Sequence, residues 1–165
     1  MTYRAAPGMS IGHVHLKVSN LERSIVFYRD VIGLEIMQKY GDQAAFLSAG
    51  GYHHHIGLNT WKSRGGARAP SAAPGLYHTA FLFPDRPSLG RAVANVLAHG
   101  VTLTGFADHG VSEAVYFDDP DGNGIEMYRD RAPKDWPRTE DGTLNMGNAP
   151  LDIPALVADG ETESP

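Results

Sequence analysis

Cysteine is absent from the 165-residue chain. That excludes disulfides, thiolate nucleophiles and Cys-ligated zinc. Long apolar runs are also absent: none approaches the roughly 20 residues that cross a bilayer. The opening MTYRAAPGMS lacks the apolar stretch of a secretory leader, so none is read and a cytoplasmic location is the expectation. There is no long basic run, and the net charge is −5, so neither a nucleic acid nor a membrane is expected as partner. What remains is an ordinary globular composition, 42% hydrophobic, with enough apolar side chains for a useful core. The surplus is in histidine. There are eight, three of them consecutive: His53, His54 and His55. An affinity tag would sit at a terminus, whereas this run lies inside a strand-like segment.

The hydrophobic pattern repeats once. Ile11–Val18 alternates as a strand, with His13, His15 and Lys17 on one face. Ser19 or Asn20 can cap a helix in which Leu21, Ile25, Tyr28 and Ile32 recur at helical spacing, and Gly33 closes it. Strands are expected near Leu34–Tyr40, Gln43–Ser48 and His53–Asn59. Residues 60–75 form a Gly-, Ala- and Pro-rich loop carrying Arg64 and Arg68, either functional or a plain connector. Then Leu76–Phe83 reads as a strand, Ser88–His99 as a helix closed by Gly100, and Val101–Gly105, Ala114–Asp118 and Gly124–Tyr128 as strands. His78 thus takes in the second half the place of His13 in the first. Gly33 follows His13 by 20 residues and Gly100 follows His78 by 22. Beyond Tyr128 an ordered arm and a frayed acidic end are expected.

Two histidines and a carboxylate on separate strands suit a non-haem iron site, because imidazole and carboxylate match Fe(II) and three ligands leave open positions. Glu126 sits between Ile125 and Met127, so it either faces solvent or has a partner such as a metal.

The segment IGHVHLKVSNLERSIVFYRDVIGL resembles the opening of the vicinal oxygen chelate superfamily, which includes glyoxalases, antibiotic-resistance proteins and extradiol dioxygenases. The segment HGVSEAVYFDDPDGNGIE is similar to the extradiol dioxygenase pattern through His109, Val115, Tyr116, Asp119, Pro120, Gly122 and Glu126, with Ala107 as a mild departure. GGYHHHIGLNTW resembles the matching region of the catechol 2,3-dioxygenase branch. The resemblance implies an α+β fold: two tandem βαβββ modules forming one vicinal oxygen chelate domain, with a curved mixed β-sheet around a metal. The domain would span residues 10–130, with modules at about 10–60 and 76–130, a short arm at 1–9, and the C-terminal arm and tail at 131–165. Many members carry two such domains; this chain has one, which leaves substrate size and assembly open, from monomer to homodimer or larger homo-oligomer.

The resemblance further implies His13, His78 and Glu126 as ligands of Fe(II), with Mn(II) as the alternative. His54 would be the acid-base residue, and a slip of one position would select His53 or His55 instead. His109 and Tyr116 would donate hydrogen bonds to a catechol substrate cleaved with O2 into a hydroxymuconic semialdehyde. Tyr116 and His109 also admit plainer readings, as a core aromatic and a loop histidine. Two rival readings stand: a glyoxalase, epimerase or thiol transferase, or a metal-free binding protein. The enzymes among these usually add an acid on the last strand of the first half, where this chain has histidines.

Overall fold

The computed structural model describes residues 2–162. The chain divides into two compact units, Met1–Gly66 and Ala67–Pro165, with one βαβββ module in each.

In the first unit, β1 (Val14–Lys17), β2 (Glu35–Tyr40), β3 (Ala44–Ser48) and β4 (Ile56–Asn59) form a mixed sheet in the order β1-β4-β3-β2. Helix α1 (Leu21–Val26) starts where the Asn20 side chain accepts from Arg23 N at 3.0 Å. It runs into a π-helical turn at Phe27–Val31, and Gly33 supplies the left-handed residue that ends it, at φ +86°. Its expected stripe is the buried one: Leu21, Ile25, Tyr28 and Ile32 join Leu16, Val18, Leu47, Ile56 and Leu58 in the core.

The second unit repeats the plan. Strands β5 (His78–Phe83), β6 (Gly105–Asp108), β7 (Ser112–Asp118) and β8 (Gly124–Asp130) are ordered β5-β8-β7-β6. Helix α2 (Arg86–Ala98), capped by Asp85, packs on β5 and β8. Alternation along the strands turns Val115, Phe117, Ile125 and Met127 into the core with Leu89, Val93 and Val96. Beyond the sheet, α3 (Ile153–Thr162) packs on α2. A Cβ at Gly90 would lie 2.1 Å from the Leu156 carbonyl oxygen, so the two helices meet where no larger side chain fits. Leu156 is fully buried there, a contribution of about 1.5–3 kcal/mol. At the end of the sheet, buried Glu113 accepts from Arg86 Nε at 3.0 Å and Arg129 Nε at 2.8 Å, with Arg131 at 3.2 Å.

Two expectations are corrected. The histidine run is not in a strand: β4 begins only at Ile56, and His53–His55 follow the Gly50–Gly51 turn, both glycines having positive φ, as an irregular lead-in. The strand expected at Val101–Gly105 begins where that segment ends, because the ladder with β7 starts at the Gly105–Tyr116 pair. Of the ordered arm and frayed acidic end expected beyond Tyr128, residues Ile153–Thr162 are helical, with Leu156 and Gly160 buried. The final residues of the tail, 163–165, lie outside the described residues.

Candidate active site

The second unit gathers four of the six candidate residues, three on the sheet face away from α2 and His109 in the turn between β6 and β7. Register places the three. Glu126 on β8 lies between Ala80 on β5 and Tyr116 on β7, and His78 stands two residues before Ala80, hence on the same face. A Cβ on Gly124 would come within 2.2 Å of the Tyr77 carbonyl oxygen, so the glycine lets β5 enter the sheet close beside β8. The turn before β8 is fixed by buried Asp119, whose Oδ1 accepts from Asp121 N and Asn123 N, each at 2.8 Å.

A continuous chain of polar contacts results. His78 Nε2 lies 2.9 Å from Glu126 Oε2. Tyr116 Oη donates to Glu126 Oε1 at 3.0 Å, and His109 Nε2 meets Tyr116 Oη at 3.1 Å. His109 Nδ1 in turn lies 3.0 Å from the Gly147 carbonyl oxygen. Burial, and then the Glu126 carboxylate, push the Tyr116 phenol up to about 12, so at neutral pH it keeps its proton and acts as a donor.

The other two candidates belong to the first unit, in the lead-in segments of β1 and β4. The rings of His13 and His54 meet at a tilt of 47° with centroids 4.3 Å apart, and Phe46 meets His54 edge-on at 5.0 Å. His53 Nδ1 lies 2.8 Å from His54 Nδ1. His55 turns elsewhere, its Nδ1 held by Ser48 Oγ at 2.9 Å and Ala49 N at 3.3 Å. Within the run, then, His54 is the histidine nearest His13. Partial burial, followed by the neighbouring His13, lowers the His54 pKa and favours the neutral, proton-accepting ring. Arg64 and Arg68 both pair with acids, Arg64 with Asp42 at 3.1 Å and Arg68 with Asp118 at 2.5 Å.

Among the described residues, no three His, Asp or Glu side chains come together as a set able to hold a metal ion. The His78–Glu126 pair nevertheless fits one. Two donors about 2.1 Å from one ion at a right angle lie roughly 3 Å apart, the separation seen between Nε2 and Oε2. His78 Nδ1, the ring nitrogen away from Glu126, is buried without a hydrogen-bond partner. Sequence reasoning missed the Gly147 carbonyl and the His53–His54 contact. The first is a backbone group that no residue type signals; the second depends on the irregular path of residues 53–55.

The profile of the Glyoxalase/Bleomycin resistance protein/Dioxygenase superfamily matches residues 10–127. A catechol-2,3-dioxygenase of Bacillus subtilis (strain 168) is 41% identical over 93% of this chain and 53% of its own length. A biphenyl-2,3-diol 1,2-dioxygenase 3 of Rhodococcus globerulus is 29% identical over 73% of the chain and 63% of its own length. The chain therefore spans about half to three-fifths of these relatives. Among solved structures, a lactoylglutathione lyase from Agrobacterium tumefaciens aligns with a TM-score of 0.59 at 25% identity, covering 75% of this chain and 96% of that one. Two βαβββ modules of the same strand order, a polar chain on the face of the second, and a profile match over most of the sequence lead to one assignment: the chain belongs to the Glyoxalase/Bleomycin resistance protein/Dioxygenase superfamily.

Proposed function

We propose that the chain is an extradiol ring-cleaving dioxygenase that uses O2 to open a catechol-type ring beside its diol, giving a hydroxymuconic semialdehyde. The observation that carries this reading is the hydrogen-bonded chain His109–Tyr116–Glu126–His78. The relatives named as catechol and biphenyl-diol dioxygenases support it. His13, His78 and Glu126 would hold a divalent ion, Fe(II) or alternatively Mn(II); the place of His13 in this set rests on its sequence equivalence to His78. When bound, that ion supplies positive charge that makes the catechol more acidic.

The protein's own groups then divide the proton work. With Nδ1 of His54 turned to His53, Nε2 is the nitrogen available to take a catechol proton and return it later in the cycle. Tyr116, kept protonated, donates to a substrate oxygen as negative charge develops there. His109, its Nε2 at 3.1 Å from the hydroxyl, orients Tyr116.

A glyoxalase-type reading needs an acid on β4, and none is there. The residue paired with both His15 and Phe46 is Gly57, and a Cβ added to it would strike the His15 ring at 2.9 Å. The decisive test is anaerobic loading with Fe(II), or with Mn(II) in parallel, followed by a catechol panel in air. About one O2 should be consumed per catechol as a yellow semialdehyde appears. A colourless dicarboxylic product, or no oxygen uptake across the panel, would count against the assignment.

A further inference from the structure

The family profile ends at residue 127, yet the site does not. The chain beyond β8 returns to the β6–β7 hairpin and grips it. Ala149 and Asp108 exchange two backbone hydrogen bonds, each of 2.9 Å. Gly147 N donates to the His109 carbonyl at 3.0 Å, and Asn145 N to the Pro137 carbonyl at 2.9 Å. The Pro137 ring packs against Gly110, so closely that a Cβ there would lie 2.8 Å from it. Trp136 Nε1 donates to the Arg131 carbonyl at 2.8 Å, and Arg131 pairs with Asp108 at 2.6 Å. His109 is therefore held twice by one residue: its carbonyl by Gly147 N, and its ring by Gly147 O.

The second contact has a chemical consequence. A backbone carbonyl can only accept, so His109 Nδ1 must carry the hydrogen it shares with Gly147 O. In the neutral ring that leaves the lone pair on Nε2, an acceptor 3.1 Å from the Tyr116 hydroxyl, whose single hydrogen can turn either to Nε2 or to Glu126 Oε1 at 3.0 Å. We infer that the C-terminal arm is part of the candidate site, its Gly147 carbonyl acting as a positioning group that fixes the Nδ1–H tautomer of His109 and so leaves Nε2 as an acceptor facing the Tyr116 hydroxyl. This rests on the proposed role of His109, but its main readout does not require turnover.

The test uses the full chain with 15N-labelled histidine. Long-range proton–nitrogen spectra, recorded without substrate, report which ring nitrogen carries hydrogen. His109 should show hydrogen on Nδ1. Gly147→Pro removes the N–H bonded to the His109 carbonyl, and Ala149→Pro, a second variant, removes the one bonded to Asp108. In either, the His109 signals should move toward a mixture of tautomers. Turnover should fall by up to roughly 10²-fold, the scale of a lost transition-state donor, with KM unchanged. Combining Gly147→Pro with His109→Ala should cost no more than His109→Ala alone, because the arm acts through that ring. A wild-type His109 protonated on Nε2 only, or a double variant in which the two losses multiply, overturns the inference. The tautomer is read on protein alone, so its failure is distinct from failure of the ring-cleavage reading.

Discussion

The two sheets follow one plan, and the same positions in them carry opposite chemistry. Both place their strands in the order first-fourth-third-second. In the second, the central face holds Ala80, Glu126 and Tyr116 in one register row. In the first, the corresponding row is His15, Gly57 and Phe46. Each substitution is complementary: the small residue has moved from the first strand to the fourth, and the hydroxyl and carboxylate have gone. The His15 ring fills the space above Gly57, flanked by Phe46 at 5.8 Å and Trp61 at 5.5 Å. One repeat thus presents a carboxylate held by hydrogen bonds, the other a cluster of edge-on and tilted aromatic rings. A repeated backbone supplies positions for chemistry, and the side chains of a single row decide which copy uses them.

The largest expected effect comes from removing what the second row has and the first lacks. Glu126→Ala should abolish ring cleavage and iron binding, measured by oxygen uptake and metal analysis after dialysis. The reverse change, Gly57→Glu, should bring no additional metal, since its side chain collides with His15. Full activity in Glu126→Ala would remove that residue from the ligand set.

Next is the hydroxyl. Tyr116→Phe makes the second row resemble the first, and should slow turnover by roughly 10²-fold while retaining the metal. Phe46→Tyr, the converse, should not restore the turnover lost in Tyr116→Phe when the two are combined. An unaffected kcat in Tyr116→Phe would reduce Tyr116 to a packing residue.

The sequence made the repeat legible because the helix-ending glycines follow the strand-leading histidines at nearly the same distance, 20 and 22 residues, and a turn capped by Asp119 fixes the start of β8. It made Glu126 legible because a carboxylate stood in an apolar alternation. It did not reveal the path of His53–His55. Alternation there suggested a strand, but two glycines at positive φ and the hydrogen bonds of His55 to Ser48 and Ala49 prevailed over local propensity. Nor could it show the Gly147 contact or helix α3, which depend on long-range packing against His109 and Gly90.

A smaller effect tests the steric half of the comparison. Gly57→Ala should destabilise the protein by about 1–3 kcal/mol, since the His15 ring must shift. Gly105→Ala, on the edge strand beside Tyr116, meets Tyr116 Cδ2 only at 3.5 Å, an ordinary contact. It should be neutral or slightly stabilising by the entropy it removes from the unfolded chain. Urea midpoints at constant slope compare the two. Equal losses would mean that the His15 ring is not what excludes a side chain at position 57.

The smallest effect appears only in alkali, and only the second row can show it, because Phe46 has no proton to lose. The folded chain holds the Tyr116 phenol at about 12, against an ordinary value of 10.0, mainly through burial and then through Glu126. A raised folded value means that the folded protein keeps this proton where the unfolded chain has released it. The associated stability is therefore fully present below pH 10 and is lost as pH rises from about 10 to about 12. Wild-type urea midpoints should fall more steeply across that interval than those of Tyr116→Phe, and the excess slope should vanish below pH 10. Tyr128, on the same strand as Glu126, is also raised by burial, then by Asp130 and Glu126, so Tyr128→Phe is the necessary comparison. Each replacement should remove part of the alkaline slope. If Tyr116→Phe keeps the whole wild-type slope, the phenol is not buried against Glu126 as described, and the contrast between the two rows loses its electrostatic half.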